Sequence, residues 1–358
     1  MGWTALSACD FCGRDLASRK IVSRALGYVI IRVNQNVASY NTIEPDLEFK
    51  RAPILKSDTR ASPSCHNAIA GISMNASELR QTVESALLAP DYDSTSYVND
   101  YLKVHMKRFA ETIGLLQPII RPAMRIVDLG SYGSLVPALR DLLGATDITL
   151  TEPFHERKPA SENSFLQNAR NGVRYPVHVD RFDIEGPFPY EDGRFDVVIF
   201  TEVLEHLSRD PLQTMSEINR ITKPEGYLLL STPNCASVRS VLRILRGGNP
   251  NIYPVYQRRP STDRHNHEYV PWEVRELLKL CGFTNSEFKT VDVYQDQQFG
   301  RLLTLQMRAL LKIGSLMSLG FLKARERGDT IFALAQKTGG VQERYPGFLY
   351  APAERPAR

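Results

Sequence analysis

The chain has 358 residues, 42% of them hydrophobic and 23% charged, with a formal net charge of +4. That is an ordinary globular composition, long enough for one large domain with appendages or for two domains. The charge is small for this length and Lys and Arg are spread along the chain, which excludes a strongly basic nucleic-acid arm and permits, without demanding, an acidic substrate.

The N-terminal twenty residues lack the apolar run of a signal peptide. Five cysteines, Cys9, Cys12, Cys65, Cys235 and Cys281, make no disulfide framework in a chain this long. A reducing cytoplasm is therefore the expected compartment. "CDFCG" has the spacing of half a zinc knuckle, but a structural zinc needs four ligands. The nearest further candidates, Cys65 and His66, are adjacent to each other and far along the chain, so zinc is not favoured. Residues 1–90, with weak periodicity and many Ser, Asn and Asp residues, read as an N-terminal extension, partly disordered.

From "YVNDYLKVHMKRFAETIGLL" onward apolar residues fall at helical spacing. "MRIVDLG" then reads as a strand and "LVPALRDLLGA" as a helix ending on Gly144. "DITLTEP" and "YPVHVDRFDI" hold the second and third strands. "RFDVVIF" is the fourth, followed by the helix "DPLQTMSEINRIT", the turn Lys223-Pro224-Glu225-Gly226 and a fifth strand, "GYLLLSTPN". Near-continuous apolar strands separated by helices imply a parallel sheet covered on both faces. The expected fold class is α/β, a Rossmann-like doubly wound sheet whose ligands lie at the carboxyl ends of the strands.

This core spans residues 91–235. Residues 236–275 begin as a basic amphipathic helix and become a loop rich in Pro, Asn, Tyr and Arg, placed on the ligand side. Residues 276–340 return to the core through the helix "PWEVRELLKLCGF" and the strands "FKTVDVY" and "TIFALAQK", with a helical insertion at 299–327; residues 341–358 read as a surface-bound tail. No segment reaches the length of a transmembrane helix. Ile313–Leu322 runs ten residues without a charge between Arg308, Lys312, Lys323, Arg325 and Arg327. Peripheral membrane contact through 299–327 fits that pattern; a helix covering one face of the sheet is the preferred reading.

Each strand end carries a polar group suited to a nucleoside. The first ends in Asp128-Leu129-Gly130-Ser131-Tyr132-Gly133-Ser134, where glycines let the backbone approach a ligand. Glu152 ends the second, where an acid suits ribose hydroxyls. Asp183 and Ile184 end the third, an acid for an exocyclic amine beside an apolar side chain for a ring. Singly, each acid is as well explained as a cap or a solvated loop residue; three at successive strand ends are harder to obtain by accident.

Together "VDLGSYGS", "LTEP", "FDIEGPFPYEDGRFDVVIFTEVLEHL" and "INRITKPEGYLLLSTPN" resemble class I S-adenosylmethionine-dependent methyltransferases, over roughly Arg121 to Gly282. The resemblance implies a seven-stranded sheet with an antiparallel last strand, here "TIFALAQK", and S-adenosyl-L-methionine as cofactor. It also implies that Asp128, Gly130 and Ser131 line the methionine part, Glu152 the ribose, and Asp183 with Ile184 the adenine. Two departures stand out: Tyr132 and Ser134 occupy positions where the family often has glycine, and "PEG" replaces a common "PGG". A nicotinamide-dependent oxidoreductase is excluded because "GSYGSL" does not match G-x-G-x-x-G.

Glu202, Glu205 and His206 follow the fourth strand. At i, i+3, i+4 they share one face if helical. Methyl transfer to oxygen needs a hydroxyl aligned and relieved of its proton, by a histidine acting as base or by a cation bound to the hydroxyl. His206, with Glu202, is the catalytic candidate. "EVLEH" followed by "H-x-x-E-Y" is similar to metal-dependent small-RNA 2′-O-methyltransferases, which implies Mg²⁺ or Mn²⁺ on Glu202, Glu205, His206 and His265. A metal-free base and a purely structural role for the trio stay open beside it. His267 reads better as a satisfied loop histidine than as a ligand.

Tyr253, Tyr256, Arg258, Arg259 and Arg264 could stack on rings and bind phosphate, though loop arginines are as often simply solvated. The ensemble "TPN…LRGGNP…RHNHEYVP…LLKLCGF…RYPGFLY" also resembles bacterial methyltransferases of polysaccharide and glycolipid pathways. The expected acceptor is thus a small-molecule or saccharide hydroxyl. RNA ribose is the alternative within the class, not favoured by the modest charge. A non-catalytic nucleoside-binding or interaction module is the alternative outside it.

Overall fold

A computed structural model of the chain describes residues 96–131, 133–154, 156, 158–167, 173–251, 264–294, 301–317, 324–342 and 345–350. The extension 1–90 with Cys9, Cys12 and Cys65, the loop residues Tyr253, Tyr256, Arg258 and Arg259, and Tyr132 lie outside them. In order come α1 (Ser96–Leu116), β1 (Arg125–Asp128), α2 (Val136–Asp141), β2 (Asp147–Glu152), β3 (Ser161–Gln167), β4 (Arg174–Arg181) and β5 (Phe195–Thr201). A 3₁₀ turn (Leu204–His206), α3 (Pro211–Ile221), β6 (Thr222–Pro233), α4 (Val238–Leu245) and α5 (Pro271–Leu280) follow. β7 (Phe283–Val291), α6 (Arg301–Met317), a second 3₁₀ turn (Ala324–Glu326) and β8 (Thr330–Lys337) complete the order.

The sheet runs β3-β4-β2-β1-β5-β6-β8-β7. β4, β2, β1, β5 and β6 are mutually parallel. β8 is antiparallel to both β6 and β7, the expected placement of "TIFALAQK". The described residues hold eight strands rather than seven. The additional one, β3, pairs antiparallel with β4 at the far edge. Its sequence, SENSFLQ, is mostly polar and its side chains mostly exposed, so no period-2 apolar pattern marks it.

Apolar side chains alternate between two cores. Val197 and Ile199 of β5 join Ile126, Leu139 and the α1 residues Phe109, Ile113 and Leu116 on one face. Val198 and Phe200 join Val127, Leu228, Leu230 and the inner faces of α3 and α5 on the other. The α1 set repeats at helical spacing and the strands at spacing two, which is why each element buries what it does. Each of these fully buried side chains contributes roughly 1.5–3 kcal/mol by leaving water.

Several boundaries differ from the sequence reading. β4 stops at Arg181, so Asp183 and Ile184 lie in the turn beyond it. α5 ends at Leu280, and Gly282 turns the chain at φ +76°, so β7 starts at Phe283 rather than Phe288. In "PEG", Glu225 itself takes φ +59°, a conformation that costs a non-glycine residue about 1–2 kcal/mol. The insertion 299–327 holds α6, whose Leu303, Met307 and Leu311 pack on Val238 and Leu242 of α4 instead of covering a sheet face. In the tail, Tyr350 and Leu349 pack against the α3 side, and the Tyr350 hydroxyl donates to Asp210, the N-cap of α3.

Candidate active site

Because β1, β2, β4, β5 and β6 are parallel, their carboxyl ends and the loops after them gather on one side. After β1, Gly130 and Gly133 both adopt left-handed φ, +67° and +77°. The Gly130 N–H donates to Thr151 Oγ1 at 2.9 Å and the Gly133 N–H to Ser131 Oγ at 3.0 Å. A Cβ on Gly133 would stand 2.7 Å from the Leu166 side chain, so this backbone path accepts no larger residue without rearrangement.

Asp128 is buried, and its Oδ2 has no hydrogen-bond partner among the described residues. Burial pushes its carboxyl up to about 7, against an opposing pull from Ser131. An orphaned buried acceptor beside a glycine turn fits a ligand that brings donors, as the methionine part of S-adenosylmethionine does. The energetic consequence can be measured without ligand. Between pH 4 and 7 the native state keeps a proton that the unfolded chain, near 3.8, has lost, so this group's contribution to stability falls as pH rises through that window. Asp128→Asn is expected to remove that slope, so that thermal melts of variant and wild type draw apart in the variant's favour toward pH 7.

The two other acids that the resemblance assigns to the cofactor are already engaged. Glu152 Oε2 accepts from Arg181 Nε at 2.8 Å, and Lys158 Nζ lies 3.5 Å away. Arg181 stands in register with Glu152 and also binds Glu162 of β3 at 2.6 Å. Asp183 is exposed and bound by the Arg209 guanidinium and, at 3.0 Å, by the Glu185 N–H. Desolvation opposes ionisation there, but those two contacts prevail and hold its carboxyl below the ordinary value. Ile184 is half-buried, packs on the core and accepts from Thr214 Oγ1 at 3.1 Å. A nucleoside at these acids has to share or displace the two arginines.

The segment after β5 is not an α-helix. Glu202 adopts φ +56°, and only the single 3₁₀ turn Leu204–His206 follows. The trio therefore does not share one face. Glu202 pairs with Arg108 Nη1 of α1 at 3.0 Å, both side chains being about a tenth exposed (11% and 7%). It also accepts from Ser231 Oγ at 2.8 Å and Tyr294 Oη at 3.3 Å.

Glu205 is buried and accepts from Thr232 Oγ1 at 2.9 Å. Burial, then the neighbouring charge of Glu202, hold its carboxyl well above the ordinary range. The 3.8 Å approach of His206 Nε2 to Glu205 Oε1 is then no ion pair between full charges. His206 Nδ1 lies 3.0 Å from the Arg264 carbonyl, to which only an N–H can donate, which leaves the lone pair on Nε2 of the neutral ring. His265 Nδ1 faces Glu268 Oε1 at 2.7 Å, which places its lone pair on Nε2 in the same way. The two rings meet edge to face with centroids 4.8 Å apart.

One ligand atom from each of Glu205, His206 and His265 falls within 4.8 Å of the others. Of the four residues assigned to a cation, the fold gathers these three and turns Glu202 to Arg108. Two imidazoles and a carboxyl form a donor set that suits Mn²⁺ or a similar ion. Glu268 stands behind His265 as the outer carboxylate such sites use, and binding would release the proton of Glu205. Arg108, Tyr294, Arg181 and Arg209 escape a sequence reading because each meets its acid across 26 to 94 residues of chain with no local pattern; Glu268 lies within the H-x-x-E-Y motif, which does not say which group it orients.

The sequence profile of a methyltransferase domain matches residues 101–287. The chain is 29% identical over 189 residues to a glycine/sarcosine/dimethylglycine N-methyltransferase of Actinopolyspora halophila, covering 51% of this chain and 30% of that protein. It is 32% identical over 111 residues to a probable S-adenosylmethionine-dependent methyltransferase of Mycolicibacterium smegmatis, covering 31% of this chain and 37% of that one. The matches thus span about a third of the length of these curated relatives. Among solved structures, a SAM-dependent methyltransferase from Archaeoglobus fulgidus is similar at a TM-score of 0.42 and 14% identity, covering 68% of this chain and 100% of that chain.

Proposed function

Because the chain belongs to the methyltransferase-domain family, we propose that it is an S-adenosylmethionine-dependent enzyme that methylates a hydroxyl oxygen of a saccharide or related small molecule, with His206 as the group that receives the hydroxyl proton. The observation that carries this reading is the meeting of His206 and His265, 59 residues apart, beside buried Glu205 at the carboxyl end of β5. S-adenosylmethionine, when bound, supplies an electrophilic methyl group. Asp128 and the Gly130 turn would hold its methionine part, and Glu152 and Asp183 its nucleoside. The residues of the chain then orient the acceptor hydroxyl and take its proton at His206 Nε2, while the Arg264 carbonyl keeps the opposite nitrogen protonated. The saccharide class rests on the motif ensemble around "RHNHEYVP" and on the modest net charge.

A second reading, a cation on Glu205, His206 and His265, is favoured by the same short separations and by Glu268 behind His265. There the residues would hold Mn²⁺ or Mg²⁺, which lowers the pKa of a bound hydroxyl. RNA ribose is the acceptor that accompanies this reading. The deciding experiment is calorimetry with S-adenosylmethionine, followed by methyl transfer to a panel of saccharides and short RNAs, each with EDTA or with added Mn²⁺. Binding near 1:1 and EDTA-resistant transfer to a saccharide are expected. No cofactor binding would sink both readings in favour of a non-catalytic module; activity lost in EDTA and restored by Mn²⁺ would replace the base by the cation.

A further inference from the structure

Of the two arginines that meet the nucleoside acids, one lies on the surface and the other is built into the sheet. Arg209 and Asp183 are both more than half exposed, so a ligand can part them at little cost. Arg181, the last residue of β4, is buried. Its guanidinium is fixed at three points: Nε donates to Glu152 Oε2 at 2.8 Å, Nη1 donates to the Pro159 carbonyl at 2.9 Å, and Nη2 lies 2.6 Å from Glu162 Oε1. Its backbone N–H donates to the Ala160 carbonyl at 2.7 Å. The adjacent strands β2, β4 and β3 thus join Glu152, Arg181 and Glu162 in one run of contacts. All of these holds on Arg181 except Glu152 come from β3 and the two residues leading into it.

Glu152 stands beside the glycine turn after β1. Its neighbour Thr151 accepts from the Gly130 N–H through Oγ1 at 2.9 Å and from the Ser131 N–H through its carbonyl at 3.0 Å. The carboxyl at the end of β2 therefore flanks the turn assigned to the methionine part. Every contact that this carboxylate makes among the described residues falls on Oε2, from Arg181 and, at 3.5 Å, from the exposed Lys158. Oε1 keeps its lone pairs for a ligand that brings O–H donors, as a ribose diol does. An arginine fork on one carboxylate oxygen also fixes the plane of the group, where a lysine would act only as a point charge. Buried and held elsewhere by Pro159 and Glu162, Arg181 stays when the ligand arrives, and the carboxylate is shared.

We propose that Arg181, braced by Glu162 of the extra edge strand β3, is a positioning residue that presets the Glu152 carboxylate for the ribose diol of the cofactor and so sets how well the chain tells ribose from deoxyribose. This rests on the S-adenosylmethionine reading above and is independent of which acceptor is methylated. The test is calorimetry of the full chain with S-adenosylhomocysteine and with its 2′,3′-dideoxy analogue. Wild type is expected to prefer the ribose ligand by at least about tenfold, the scale of hydrogen bonds to a charged group. Glu162→Ala, at a partly exposed edge position, should cut that preference about 3–10-fold, the scale of one side chain that has to be immobilised afresh, with melting and affinity for the dideoxy ligand unchanged. Arg181→Lys, which keeps the charge but not the fork, should do the same, whereas Glu162→Gln, which keeps an acceptor for Arg181, should retain most of the preference. In a Glu152→Gln background Glu162→Ala should add nothing. An unchanged preference in Glu162→Ala and Arg181→Lys would overturn the inference and leave the cofactor in place. So would an equal loss for both ligands, which would make Arg181 a support of the fold alone. A wild type that binds both ligands alike would remove Glu152 from the ribose; one that binds neither would overturn the cofactor reading itself and this inference with it.

Discussion

Arg108→Ala is expected to destabilise the protein by about 3–5 kcal/mol, the cost of leaving a buried charge without its partner. The Arg108–Glu202 pair joins α1 to the turn after β5, with both side chains about a tenth exposed and Ser231 and Tyr294 completing the carboxylate's hydrogen bonds. Removing the guanidinium strands Glu202 at a left-handed backbone position from which it cannot easily swing to water. It also removes the cation that offsets Glu202 at Glu205, whose carboxyl is already held up by burial. The control is Arg108→Met combined with Glu202→Gln, which should recover most of the loss because no buried charge remains. Urea titrations of the four corners of that cycle measure it. A loss for Arg108→Ala under about 1 kcal/mol would mean that the pair is hydrated in solution.

His206→Ala is expected to lower turnover by about 10²–10⁴-fold, the usual worth of a positioned base, with cofactor affinity unchanged. The imidazole sits on the turn after β5, oriented by the Arg264 carbonyl. The companion substitution His265→Ala distinguishes the two readings of the site. If His206 acts as base alone, His265→Ala leaves most of the rate, and added Mn²⁺ changes nothing. If a cation is held between them, either substitution abolishes activity, and excess Mn²⁺ restores part of it. Cofactor affinity lost along with turnover in His206→Ala would show that the residue supports the pocket rather than the chemistry.

The parallel core was legible in the sequence because its information is local. Runs such as "RFDVVIF" and "GYLLLSTPN" mark strands buried on both faces, and the α3 signal, Asp210-Pro211 before an amphipathic run, is a cap followed by a helix start. β3 was not legible, since SENSFLQ pairs at an edge where backbone hydrogen bonds to β4, and no buried face, hold it.

At the site the division follows the same line. Residue order alone located Asp128 and Glu152 at strand ends, Asp183 just beyond one, and Glu202, Glu205 and His206 after the fourth core strand, because in a parallel sheet every strand's carboxyl end comes out on one side; His265 joined them through the resemblance of its H-x-x-E-Y motif. Only the tertiary structure decided which of these groups meet. Spacing predicts a shared face on the assumption of an α-helix, and one left-handed residue at Glu202 followed by a single 3₁₀ turn breaks that assumption. The carboxylates' partners, Arg108, Arg181 and Arg209, come from distant segments, and a buried acid that no such partner reaches, Asp128, is pushed toward its neutral form. Chain order sets the chemistry available at the strand ends; packing across the chain sets which acid is neutralised, which is left without a partner, and which histidines face each other.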